Sequence, residues 1–396
     1  MKTREMQTEL LESAKEFPVV AIYGPRQSGK TTLSKMCFPD KPWISFESPD
    51  YRRLAESDPR GFLSSLKDGA VLDEIQRFPE LLSYLQEDVD RDERPGRFVL
   101  TGSHQSKLKN DVAQSLAGRT AILTLLPYTR DESIQGDAAR LGLNGTDNIF
   151  DVIFKGGYPR LHEQRIRPQR FFASYVATYL EQDLPALLEI RNRKAFTDFL
   201  FLLAARIGSV FNASSLANDI GVSSPTIQAW MSALEESHLI FVLRPWFRNA
   251  VSQVTKSPKI YFTDTGLAAW LARYIRKEDV EGGPLRGGFY ENHVIIEVCK
   301  HLLNSGETPD LYFYRDKQQR EVDLIVSRNG RLTPVEIKSA ATFSPDFAKG
   351  IRFFRENFKD TDTGVIVFNG GFPSETFQDN ALCNPMHDGW LSKILG

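Results

Sequence analysis

Cysteine is scarce in this chain: Cys37, Cys299 and Cys383 stand far apart in 396 residues. That excludes a disulfide framework and a Cys-x-x-Cys zinc pair. No apolar run approaches the length of a membrane span, so no membrane partner is expected. The opening segment, MKTREMQTELLESAKEF, is charged and amphipathic and lacks the apolar centre of a signal peptide. A cytoplasmic location is the expectation. Neither sign of charge dominates, because 49 Lys+Arg stand against 51 Asp+Glu for a net charge of −2. A dedicated DNA-coating protein is usually basic, so any DNA contact has to come from local patches. The length leaves room for two to four domains, each with its own core.

What the chain does have is VVAIYGPRQSGKT at 19–31, an apolar run feeding into Gly24-x-x-x-x-Gly29-Lys30-Thr31. The spacing is that of a phosphate loop, in which glycines let the backbone aim successive N–H groups at phosphate oxygens. Gly24, Pro25, Arg26, Gln27, Ser28, Gly29, Lys30, Thr31 and Thr32 are therefore the expected ATP-binding set. Lys30 would reach the β- and γ-phosphates, and Thr31 would hold Mg²⁺. A helix from about 30 to 37 would add its positive end to the same site.

A second apolar run ends in Asp73 and Glu74. Asp73 would join Thr31 in the Mg²⁺ shell, and Glu74 would orient and deprotonate the attacking water. The bland alternative is that the two acids merely cap the next helix. A third run, RFVLTGSH at 97–104, ends in Thr101 and Ser103. Either could sense the γ-phosphate or the lytic water, and the sequence does not choose between them. Arg119 precedes a further strand, either as an arginine finger for a neighbouring subunit or as half of a surface salt bridge. Only the first role implies a homo-oligomer. With PWISFE at 42–47 the count reaches five buried strands alternating with helical patterns, which predicts a parallel α/β sheet.

At these residues the chain resembles the additional-strand, AAA-type ATPases. The resemblance rests on 24–31, Asp73-Glu74-Ile75-Gln76, Leu100-Thr101-Gly102-Ser103 and Leu116-Ala117-Gly118-Arg119. More narrowly, it is similar to prokaryotic ATP-binding proteins with a C-terminal domain of unknown function, DUF4143. It implies an ATPase core over 1–127.

The pattern over 128–205 is helical and rich in Phe, Tyr and Leu, and reads as a lid. Arg160, Arg165, Arg167 and Arg170 cluster near its start, as a solvated basic face or as one γ-phosphate contact among them. Within 206–281, the stretch 212–243 has helix-turn-helix spacing, with a turn at Gly221 and a second helix opened by Ser223-Ser224-Pro225. Two β-prone segments after it would form the wing of a winged helix. DNA binding is the functional expectation, but the second helix carries no Lys or Arg, a poor anchor for phosphates. Arg244, Arg248, Lys256 and Lys259 on the wing would supply the charge.

Gly282-Gly283-Pro284 and Gly287-Gly288 read as a linker into a last domain, 282–396. There EVDLIV, a turn at Asn329-Gly330 and PVEIK predict a hairpin. Glu336 and Lys338 alternate on one strand face, with Asp323 on the paired strand. Asp323 and Glu336 would bind Mg²⁺, Lys338 would position water, and Glu291 could add a carboxylate. The set resembles the restriction-endonuclease-like core and implies a small α/β nuclease-like domain. The overall expectation is a P-loop ATPase with lid, winged helix and nuclease-like domain acting on DNA. The alternative is an ATP-dependent switch whose C-terminal half binds a protein partner and cuts nothing.

Overall fold

A computed structural model of the chain describes residues 2–103, 115–134, 148–187, 190–247, 257–371 and 374–396. Its N-terminal sheet holds β1 (Val19–Tyr23), β2 (Trp43–Ser45), β3 (Ala70–Asp73), β4 (Phe98–Gly102) and β5 (Thr120–Thr124) in the order β2-β3-β4-β1-β5. All pairings are parallel. Strands β1, β3 and β4 are buried throughout, as near-continuous apolar runs in a parallel sheet should be. β4 lies between β1 and β3, the additional strand that the resemblance implies. Parallel strands end at one edge, so Gly24, Asp73-Glu74 and Thr101–Ser103 arrive there together. That edge is where open α/β sheets bind ligands.

The described part of the expected lid is helical, with helices Ile149–Lys155, Pro159–Glu163, Pro168–Tyr175 and Arg193–Ala204, and a π-helix at Val176–Asp183. Helices Ala213–Ile220 and Ser224–Glu236 follow, joined through Gly221 at φ 79°, a left-handed turn that glycine adopts freely. Ser223 caps the second helix, its hydroxyl accepting from the Thr226 N–H at 3.2 Å. β6 (Ile240–Pro245) and β7 (Lys259–Phe262) then pair antiparallel.

These two strands do not stand alone. β6 also pairs in parallel with β8 (Leu311–Arg315), joining a second sheet of order β12-β13-β11-β10-β9-β8-β6-β7. Its other members are β9 (Glu321–Arg328), β10 (Arg331–Lys338), β11 (Val365–Phe368), β12 (Thr376–Phe377) and β13 (Asn380–Cys383). The hairpin β9–β10 turns at Asn329 and Gly330, both at positive φ (53° and 75°), as a two-residue turn of this kind requires. The glycine-rich segment read as a linker is instead a helix junction. Gly287 and Gly288 lie inside helix Arg286–Asn304, and a Cβ on Gly288 would sit 2.5 Å from the Ile207 carbonyl oxygen. There glycine serves close packing rather than freedom. One apolar core accordingly extends from Leu126 to Ile394, through the lid, the helix pair and the second sheet, while the two faces of the first sheet have cores of their own.

Candidate functional site: a phosphate-loop cleft and a buried charge cluster

At the end of β1 the backbone turns through Gly24 (φ 151°), where a Cβ would lie 2.1 Å from the Leu125 carbonyl oxygen. Gly29 (φ 99°) then opens helix Lys30–Cys37. Lys30 is buried and its Nζ donates to the carbonyls of Gly24 and Pro25, each at 2.9 Å. Burial pushes its ammonium down to about 8, against the pull of Glu74 and Asp73. The cation is thus desolvated and held by neutral carbonyls.

The carboxylates of Asp73 and Glu74 have separate hydrogen-bond partners. Thr31 Oγ1 donates to Asp73 Oδ1 at 2.8 Å, and the Thr101 hydroxyl donates to the same oxygen. Glu74 follows β3 in a left-handed conformation (φ 55°), its N–H directed at Thr101 Oγ1 at 3.4 Å. Its Oε2 accepts from Gln76 Nε2 and from Ser103 Oγ at 3.3 Å, and Gln76 also reaches Ser103 at 3.2 Å. Thr101 therefore braces the expected metal acid and Ser103 the expected base, a division that the sequence left open.

A cleft of about 540 Å³ opens beside Gly29, Lys30, Thr31 and Glu74, with Arg160 also in its lining. Of the four clustered lid arginines, Arg160 alone lines it; Arg165, Arg167 and Arg170 do not. Arg26 turns away from the loop, ion-paired with Asp183 and set 5.8 Å from the Tyr179 ring centre on the π-helix. Arg119 forms a surface ion pair with Asp90. Its carbonyl accepts from the Val19 N–H at the start of β1, the end of the sheet opposite Gly24. Within this chain it does not reach the cleft.

Arg4 carries no motif, yet it is buried against the phosphate loop. Its guanidinium donates to the carbonyls of Ser28 (2.8 Å) and Leu126 (2.7 Å) and pairs with Glu132 at 2.9 Å. The neighbouring Glu5 accepts from Asn304 Nδ2 at 3.1 Å, on the long helix of the second sheet. A lone arginine in an amphipathic segment gives no signal, since its partners lie 24 to 128 residues away. Gln76 was visible only as part of a motif, without a role.

The second site lies on the other sheet. Lys338 Nζ stands 2.8 Å from Asp323 Oδ2 and 2.7 Å from Glu336 Oε2, and Asp323 also accepts from the Ile337 N–H at 2.8 Å. Glu291 meets Lys259 (2.8 Å) and the Tyr261 hydroxyl (2.6 Å), and Lys259 reaches Glu321 at 2.6 Å. Burial pushes the Asp323 carboxyl up, but Lys338 and Lys259 outweigh it and hold it below the usual range. Glu336 is pushed well above its usual range by burial and then by the charge of Asp323. Glu291 is raised by burial against the pull of Lys259.

The structure thus gathers Asp323, Glu336 and Lys338, with Glu291 near them but taken up by Lys259 and Tyr261. Among the described residues no three His, Cys, Asp or Glu side chains stand where they could jointly hold a metal ion. Lys259, expected on an exposed wing, is buried in this cluster because β7 packs as a sheet strand. Arg248 and Lys256 lie outside the described residues.

Residues 16–134 match the AAA domain family, residues 146–278 a domain of unknown function, DUF8612, and residues 286–387 another, DUF4143. Over 363 residues the chain is 33% identical to the protein Rv2008c of Mycobacterium tuberculosis, covering 89% of this chain and 77% of that one. Mb2031c of Mycobacterium bovis matches to the same extent. Among solved structures, the Walker-type ATPase PABY2304 of Pyrococcus abyssi aligns at 16% identity, over 68% of this chain and 97% of its own, with a TM-score of 0.46. AMPPCP-bound DnaA from Aquifex aeolicus aligns at 17% identity, over 59% and 86%, with a TM-score of 0.27.

Proposed function

Because the chain belongs to the AAA-type ATPases that carry a C-terminal DUF4143 domain, we propose that it hydrolyses ATP in the cleft beside Lys30. The observation that carries this reading is the separation of the two acids, Asp73 bound by Thr31 and Thr101, Glu74 bound by Ser103 and Gln76. The residues fit a Mg²⁺ ion, since the Thr31 hydroxyl and Asp73 carboxylate already converge at the loop. When bound with ATP, the ion would neutralise charge on the β- and γ-phosphates.

The chain's own groups would act as follows. Lys30 leaves the Gly24 and Pro25 carbonyls for phosphate oxygens, exchanging neutral acceptors for anionic ones. Glu74 takes the proton of the attacking water, oriented by Ser103 and Gln76. Arg160 faces the cleft from the lid, where closure would bring it toward the nucleotide. Arg119 would act only on a neighbouring copy. The experiment is phosphate release by the wild type and Glu74→Gln, with ATP binding measured separately. Lost turnover with retained binding is expected, and equal turnover would remove Glu74 from the role.

ATP binding, in the same proposal, alters how the C-terminal half engages DNA, with a core at 1–127, lid at 128–205, winged helix at 206–281 and nuclease-like domain at 282–396. The meeting of Asp323, Glu336 and Lys338 supports a nuclease-like site. Asp323 and Glu336 could hold Mg²⁺, which would relieve the repulsion that raises Glu336. A specific observation favours a second reading, a switch that binds a protein partner and cuts nothing. The ammonium groups of Lys338 and Lys259 already neutralise much of the cluster. Mg²⁺-dependent cleavage of duplex, branched or single-stranded DNA, absent in Asp323→Asn, separates the two.

A further inference from the structure

DNA affinity comes largely from phosphate contacts, and the second helix of the helix-turn-helix has no cation to make them. The fold brings cations to it from a segment some thirty residues earlier. Ile190, Arg191 and Asn192 form one wall of a groove of about 730 Å³, and Thr226, Ala229 and Ser232 of helix Ser224–Glu236 form the other, with one acid, Glu236, at the last position of that helix. Arg193 and Lys194 continue from that wall, and all three cations are exposed. Among the described residues none of the three has an ion-pair partner, whereas Arg206 and Arg244 nearby are paired with Asp219 and Glu235.

The backbone that carries these cations is fixed. Asn192 Oδ1 accepts from the Ala195 N–H at 3.1 Å, capping helix Arg193–Ala204 and fixing Arg193 and Lys194 in its first turn. That turn has no acid, and cations there oppose the helix dipole. The arrangement is unfavourable without an anion and is relieved by one.

Resting on the DNA reading above, we propose that this groove seats one sugar–phosphate backbone of duplex DNA. Arg191, Arg193 and Lys194 contact the phosphates, while helix Ser224–Glu236 enters the adjoining major groove with the exposed Gln228 free to meet base edges. The division of labour explains a reading helix without Lys or Arg, because its phosphate contacts come from a neighbouring element.

The test uses the full chain and a fluorescein-labelled duplex of mixed sequence, titrated by anisotropy between 50 and 200 mM NaCl. Loss of three phosphate contacts in Arg191→Ala/Arg193→Ala/Lys194→Ala should weaken binding at low salt and make the log–log salt slope shallower by about 2.7. Across that range the wild type should then lose about forty-fold more affinity than the variant. Arg191→Lys/Arg193→Lys should keep the wild-type slope. Unchanged ATP binding checks that the variant is folded, and single Arg191→Ala, with a slope change of about 0.9, serves if the triple variant is not. A triple variant with the wild-type slope overturns the groove and leaves the DNA reading standing. A wild type without salt-dependent duplex affinity overturns both.

Discussion

The two sheets of this protein hold lysines in opposite ways. On the first, Lys30 is desolvated and hydrogen-bonded to neutral carbonyls, so that burial pushes its ammonium down to about 8. On the second, the half-buried Lys338 lies between Asp323 and Glu336, which raise its affinity for the proton against its partial desolvation. A buried cation without an anionic partner is a site prepared for an anion; a half-exposed one between two acids is already satisfied. The first arrangement invites a phosphate. The second invites, at most, a cation to share its acids.

Removing Lys30 should have the largest effect: Lys30→Ala should abolish ATP binding by calorimetry, and surviving affinity would mean the loop does not hold phosphate through this ammonium. Glu74→Gln should bind ATP but release phosphate about 10²–10⁴-fold more slowly, the range for a lost general base. On the second sheet Asp323→Asn should cost about 1–3 kcal/mol in denaturant unfolding, because it removes the charge that Lys338 meets while Glu336 stays beside that ammonium. Glu336→Gln should cost less, about 1 kcal/mol, since burial and the charge of Asp323 already disfavour its ionised form.

The signs with pH should differ as well. Asp323, held down, contributes stability above its ordinary 3.8 and loses it as pH falls through its folded value. Glu336, pushed up, contributes most below its ordinary 4.5 and loses that contribution as pH rises through its folded value. Unfolding of the wild type and both variants in acid and at neutrality checks this, and equal pH dependence would erase the contrast.

A smaller effect should come from Lys30 itself. If about 8 is its value without ATP, affinity should fall about tenfold between pH 7 and 9 as the ammonium is lost. Arg4→Ala should weaken ATP binding by a similar factor, about tenfold, by loosening the loop carbonyl that it holds, with Arg4→Lys restoring part. Least of all, Arg119→Ala should leave ATP binding by the single chain unchanged, since its partner Asp90 is on the surface.

Much of the first site was legible because its residues are local or end adjacent parallel strands. Gly24 to Thr31 is one turn, and strand ends must share an edge, so Asp73, Thr101 and Ser103 could be placed without coordinates. The hairpin at Asn329-Gly330 was legible for a similar reason, and alternation put Glu336 and Lys338 on one face. Where expectation failed, the partner was distant. Lys259 read as a wing cation because nothing near it in sequence reveals that β7 joins a sheet whose next strand begins some fifty residues later. Gly288 read as flexible because the Ile207 carbonyl it packs against is invisible locally.

The sequence by itself determined the phosphate loop, its two acids and the apolar strands that carry them, since those follow from short-range turn geometry and apolar runs. Only the tertiary structure decided which hydroxyl serves which acid, where Arg4 and Arg160 stand, and that Lys259 is buried. Those outcomes depend on burial and on pairings between residues tens to hundreds of positions apart, which no local pattern encodes.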